Sequence, residues 1–173
     1  MARHLTGVLL VGGASTRFGS PKALARIDGR TLAEIGWETL GRACDERIAV
    51  GKAADALPFP FPLVDDSTSV RAPIAGVIAG LRAATHDVTV FLPVDCPAMT
   101  PEALRLLGEA CTGAAVPQTG PLPGAYAKSA LPVLERRLAR GELGLRAALP
   151  ELDAQTVELE PAVLHDVDFP ADL

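Results

Sequence analysis

The chain has 173 residues, of which 49% are hydrophobic and 21% charged, with a net charge of −5. That length suits one domain, residues 1–173, with a sizeable buried core, and excludes a disordered tail or a low-complexity linker. The acidic balance excludes whole-surface attraction to nucleic acid or to an anionic membrane, so an anionic ligand needs a local positive site.

Leu5–Val11 is a continuous aliphatic run ending at Gly12-Gly13, the pattern of a parallel strand covered on both faces. The preceding residues make a poor signal peptide, because the run is short, Arg17 follows soon and no cleavage site appears. A loop is expected as far as Arg30. Thr31 then caps a helix through Ala43. Arg47–Val50 is a short strand, 56–62 a proline-rich connection, and 62–64 a short strand ending at Asp65-Asp66. Ile74–Ala84 has helical spacing, and Asp87–Val94 is a second strongly aliphatic strand ending at Asp95. Thr100-Pro101-Glu102 opens a helix to about Cys111. Short strands are expected at 114–116 and 124–127. After them come a helix capped by Ser129 and ending at Gly141, a short helix over 142–149 and a strand over 155–159.

Strands alternate with helices throughout, which predicts an α/β fold: a Rossmann-like three-layer domain with a mainly parallel sheet. Ligands of such sheets sit outside the carboxyl ends of the strands. Three of those ends carry polar chemistry here: Gly12-Gly13, Asp65-Asp66 and Asp95. Cys44, Cys96 and Cys111 form no Cys-x-x-Cys pair, which suits reduced thiols and a cytoplasmic location. No run is long enough for a membrane helix.

The loop LLVGGASTRFGSPKAL is neither a Walker loop nor a dinucleotide fingerprint. It combines Gly12, Gly13, Ser15, Arg17, Gly19 and Lys22. Glycines let the backbone approach a ligand and expose N–H groups as an anion nest. Arg17 adds a planar fork for phosphate oxygens and Lys22 a point charge. Two cations and a bare backbone suit a triphosphate. Asp95, at the end of an aliphatic strand, is the expected ligand for Mg²⁺, which takes one or two carboxylates and completes its shell with phosphates and water. Cys96 has no paired histidine and reads as a small buried residue.

Leu10-Val11-Gly12-Gly13-x-Ser15-x-Arg17-Phe18-Gly19-x-x-Lys22 resembles the signature of the small nucleotidyltransferases. Asp65-Asp66-Ser67, Pro73-Ile74-Ala75-Gly76, Pro93-Val94-Asp95-Cys96-Pro97 and the closing Asp166–Leu173 are similar, in order, to segments of the molybdenum cofactor guanylyltransferase family. The resemblance implies a nucleotide-diphospho-sugar transferase-like fold. It also implies transfer of GMP from GTP to molybdopterin, with or without molybdenum, and release of pyrophosphate. It gives Arg17 and Lys22 catalytic roles. Nucleotide contacts fall on Leu10, Val11, Gly12, Gly13, Lys22, Asp66 (with Asp65 as the alternative) and Asp95, and the metal on Asp95, with Asp168 as a weaker second. Partners implied are molybdenum-insertion proteins and apo-molybdoenzymes. Gly51-Lys52 stands where the family has an asparagine, and Asp166 and Asp168 replace asparagines. Alternatives are cytidylyl transfer to the same cofactor, nucleotidyl transfer to a sugar phosphate, and a non-catalytic nucleotide- or pterin-binding module. The Gly12-Gly13 pair favours the guanylyl branch, since cytidylyl relatives tend to carry Ala-Gly there.

Overall fold

The computed structural model describes residues 2–12 and 20–173. Strand β1 (Leu5–Leu10) is buried along its whole length. It pairs in parallel on one side with β4 (Glu46–Gly51) and on the other with β6 (Val88–Pro93). Beyond β4 lies β5 (Leu63–Asp65), also parallel. The far half of the sheet holds β8 (Gly124–Ala127), antiparallel to β6, then β7 (Ala114–Pro117) and β9 (Ala154–Val157). The order among the described residues is β5-β4-β1-β6-β8-β7-β9, a mainly parallel seven-stranded sheet.

Helices cover both faces. On one, α1 (Leu32–Ala43) and α3 (Pro101–Ala110) bury Leu32, Leu40, Leu104 and Leu107 against Leu5 and Leu9. On the other, α2 (Pro73–Ala83) and α4 (Leu131–Ala139) bury Ile74, Ile78, Leu81 and Leu134 against Val8, Phe91 and Tyr126. A short α5 (Leu145–Ala148) joins this second layer. Close approach of helix to sheet depends on small residues. A Cβ at Gly36 would lie 2.6 Å from Leu9 Cδ1, and one at Gly80 2.5 Å from Phe91 Cε1.

Caps explain two helix starts. The Glu34 amide donates to Thr31 Oγ1 (3.1 Å), while the Thr31 amide donates to Glu34 Oε2 (2.7 Å), a reciprocal capping box. The Ala103 amide donates to Thr100 Oγ1 (3.2 Å) ahead of Pro101.

Four expectations are corrected. Ser129 caps nothing: it sits in a 3₁₀ turn, Lys128–Ala130, and α4 begins after Ala130 with no side-chain cap. The helix expected over 142–149 shrinks to α5 plus a 3₁₀ turn, Leu149–Glu151, because Gly144 and Pro150 bracket a single turn of chain. The last strand is 154–157, not 155–159, since the Leu159 amide pairs with the Gln118 side chain instead of a strand. The loop before α1 contains a small hairpin, β2 (Arg26–Ile27) with β3 (Arg30–Thr31). Its turn is Asp28-Gly29, both at positive φ (48° and 81°), a common hairpin signal in the sequence.

The capping box makes a direct prediction. Thr31→Ala removes the acceptor at the start of α1 and is expected to cost about 1 kcal/mol, measured as a shift in chemical-denaturation midpoint.

Candidate active site

Parallel pairing puts the carboxyl ends of β5, β4, β1 and β6 on one edge. Hydrogen bonds continue the ladder one residue past the strands: Val11 N to Val50 O (3.0 Å), Asp66 N to Gly51 O (2.9 Å) and Val94 N to Leu10 O (3.1 Å). Val11, Asp66 and Asp95 therefore leave the sheet at nearly one level. Leu10 and Val11 are buried, and the Val11 amide is spent on Val50, while Gly12 is exposed. Gly13, Ser15, Arg17 and Gly19 lie outside the described residues.

The first half of the site surrounds Asp95. Lys22 sits in a 3₁₀ turn (Lys22–Leu24), its Nζ 3.7 Å from Asp95 Oδ2 and 3.4 Å from Asp168 Oδ1. Asp168 arrives from the C-terminal tail, which docks through the Val167 amide on the Asp95 carbonyl (2.8 Å) and the buried Val167 side chain. The same docking brings Asp166 in. The buried Cys96 thiol lies between the carboxylates, 3.2 Å from Asp166 Oδ1 and 3.5 Å from Asp95 Oδ1. Burial, and then the two neighbouring carboxylates, push the thiol far above its usual range, so it stays protonated and donates. Burial, then Asp166, also push Asp95 upward, against the opposing pull of Lys22. Ligand atoms of Asp95, Cys96 and Asp166 lie within 4.8 Å of one another, an arrangement that could hold a metal ion. With the thiol protonated, the donors on offer are carboxylate oxygens, the type a hard cation takes.

The second half is a cleft of about 500 Å³ beyond β4 and β5. Lys52, Ala53 and Ala54 line one side, Asp65, Ser67, Thr68 and Arg71 the other. Asp66 lies in the wall with its carboxylate turned to Lys52 Nζ, which is 2.9 Å from each oxygen. Ala75 is buried, and Gly76 packs on Leu10 beneath the site instead of lining it. Arg71 pairs with Asp55 at 2.8 Å. Another cleft, about 350 Å³, lies at the opposite end of the sheet around Thr112, Ser129 and Asp153, away from these side chains.

The structure thus brings Lys22, Asp95 and Asp168, each named separately from the sequence, into one cluster. Sequence reasoning gave no such grouping. It passed over Lys52 and assigned nothing to Asp166, although both stand at positions where the family pattern is broken.

Residues 7–157 match the model of the MobA-like NTP transferase domain. The chain belongs to this family. It is 35% identical over 179 residues, with 98% of this chain and 92% of the relative covered, to the probable molybdenum cofactor guanylyltransferase of Deinococcus radiodurans. It is 30% identical to the molybdenum cofactor guanylyltransferase of Desulfosudis oleivorans, with 88% and 80% covered. Its fold is that of molybdopterin-guanine dinucleotide biosynthesis protein A from Archaeoglobus fulgidus (TM-score 0.83, 24% identity, 96% and 94% covered).

The raised Asp95 carboxyl carries a stability consequence. An acid whose folded pKa lies above its unfolded value costs stability when ionised, and the cost fades as pH falls through the folded pKa. Asp95→Asn is therefore expected to raise the melting temperature of the ligand-free protein at pH 7. The gain should shrink as the pH is lowered, in thermal scans at several pH values.

Proposed function

We propose that this chain is a Mg²⁺-dependent guanylyltransferase that moves GMP from GTP to molybdopterin or its molybdenum-bound form. The observation that carries the reading is the convergence of Lys22, Asp95, Asp166 and Asp168 at the carboxyl edge of the sheet, the edge that also bears a polar cleft, in a chain of this family. Its relatives named molybdenum cofactor guanylyltransferase supply the base and the acceptor.

In the reaction a terminal phosphate oxygen of the acceptor attacks the α-phosphorus of GTP. A new P–O bond forms, the α–β bridging P–O bond breaks, and pyrophosphate leaves with the electron pair. The protein's task is positioning and charge neutralisation. Asp95, with Asp166, would hold Mg²⁺, whose charge offsets the negative charge gathering on the phosphates. Lys22, poised on Asp95 and Asp168, supplies a cation for the phosphates, with Arg17 from the glycine-rich loop as a second. Leu10, Val11 and Gly12 lead into the glycine-rich loop at the carboxyl end of β1, and the exposed Gly12 would lie by the phosphates. The cleft beyond β4 and β5, with Asp66 in its wall, receives the nucleoside.

The molecule needs no membrane or nucleic acid for this chemistry, and no described helix is long and apolar enough to cross a membrane. A cytoplasmic setting fits its free thiols. Molybdenum-insertion proteins and apo-molybdoenzymes are the partners on either side of the reaction.

Pyrophosphate release with purified molybdopterin and GTP, CTP or ATP tests the reading. GTP is expected to bind at least tenfold more tightly than CTP or ATP, a difference of about 1.4 kcal/mol or more. Preference for CTP overturns the guanylyl assignment. Lys22→Ala is expected to lower kcat/KM by roughly ten- to a hundred-fold, the cost of one charge-assisted phosphate contact. Asp95→Asn is expected to abolish metal-dependent turnover, and retained activity at limiting Mg²⁺ removes Asp95 from the metal.

A further inference from the structure

Two loops leave the carboxyl edge side by side, 52–55 after β4 and 65–71 after β5, because Gly51 and Asp65 are partners in the sheet. Cross-links join them from the floor of the cleft to its rim. Lys52 Nζ reaches both oxygens of Asp66 at 2.9 Å and the Thr68 carbonyl at 2.6 Å. The Ala53 amide donates to Asp65 Oδ1 at 2.9 Å. At the rim, Arg71 is paired with Asp55. Within the second loop, Asp65 Oδ2 accepts from the Ser67 amide (3.2 Å) and Asp66 Oδ1 from the Thr68 amide (3.2 Å), around Ser67 at φ 59°.

The inner pair is the buried one. The Lys52 side chain is 10% exposed and that of Asp66 8%, against 49% for Arg71. An ammonium has three donors, and here three acceptors are within reach. Lys52 is therefore committed to the wall and has little left for a ligand. Removing it would strand a buried carboxylate next to Asp65, in the wall of a cleft that has to receive an anion. An uncompensated buried charge is costly, and the loop that carries it relieves the cost by moving or by swinging the carboxylate into the cleft.

We propose that Lys52 is a positioning residue of the nucleotide site: it neutralises Asp66 inside the wall and so holds the 65–71 loop in the shape and charge state that admits a nucleotide. The inference rests on the cleft being the nucleoside site. It assigns Asp66 an indirect role, through Lys52 and the loop. Lys22 and Asp95 lie on other elements, so the effect falls on nucleotide binding and not on the transfer step.

The test is titration of the full chain with GTP, CTP and ATP in Mg²⁺, together with steady-state kinetics and thermal melting. Lys52→Met is expected to raise Kd and KM for GTP by about tenfold or more while kcat at saturating GTP stays within about threefold. Lys52→Met with Asp66→Asn removes both charges at once and is expected to bring Kd back to within about fivefold of the starting protein. Wild-type affinity in Lys52→Met overturns the proposal. So does a double variant that melts normally but binds GTP weakly, because the pair then touches the nucleotide itself. If Lys52→Met does not fold, the affinity of the double variant decides. An unaltered protein that binds CTP in place of GTP fails the guanylyl reading alone, and the Lys52 comparison then runs on CTP. One that binds none of the three nucleotides overturns both.

Discussion

The parallel pairing of β1 between β4 and β6 is the constraint on which the rest of the molecule depends. Parallel strands send their carboxyl ends to the same edge, and the hydrogen bonds that continue past Leu10, Asp65 and Pro93 keep the next residues level. Lys52 and Asp66 become neighbours for that reason, and Asp95 is brought to the same edge two strands away from β4. β1 can occupy the centre because it is aliphatic throughout and covered on both faces, by α1 and α3 on one side and α2 and α4 on the other.

Charge at that edge is arranged in two different ways. Around Asp95 acids outnumber the described bases: Asp95 and Asp168 share Lys22, Asp166 adds a third carboxylate across the Cys96 thiol, and burial raises Asp95 further. Such a cluster costs stability in the ligand-free protein and favours a bound cation, the familiar tension between a stable fold and an active site. At the cleft beyond β4 and β5 the inner pair is balanced, one ammonium to one carboxylate, both nearly out of water. The first arrangement is open to ligands, and the second holds a wall in place.

The C-terminal tail is part of the site and not an appendage. It passes over the end of β6, anchored by the Val167 amide and side chain, and brings Asp166 to the Cys96 thiol and Asp168 to Lys22. The Asp168 and Phe169 amides both donate to Asp172 Oδ2, which closes the tail on itself in a 3₁₀ turn. Removing a few residues beyond Asp168 would therefore disturb a site formed mostly by strand ends.

The alternation of aliphatic strands and capped helices determined the fold from sequence alone, because burial on both faces and hydrogen-bonded caps are local properties of residue type. The strand-end acids were legible for a related reason: polar residues that interrupt aliphatic runs must sit where the sheet ends. Tertiary structure alone decided which of those groups face one another. Lys52 reads as a lone cation after a strand, and only strand pairing reveals Asp66 beside it. Asp166 reads as one acid in an acidic tail until Val167 docks it against Asp95. Ser129 looked like a helix cap, yet the chain spends that position on a 3₁₀ turn after β8. Sequence fixes what each residue can do, whereas partners separated by 14 or 70 positions are set by the packing of strands and tail.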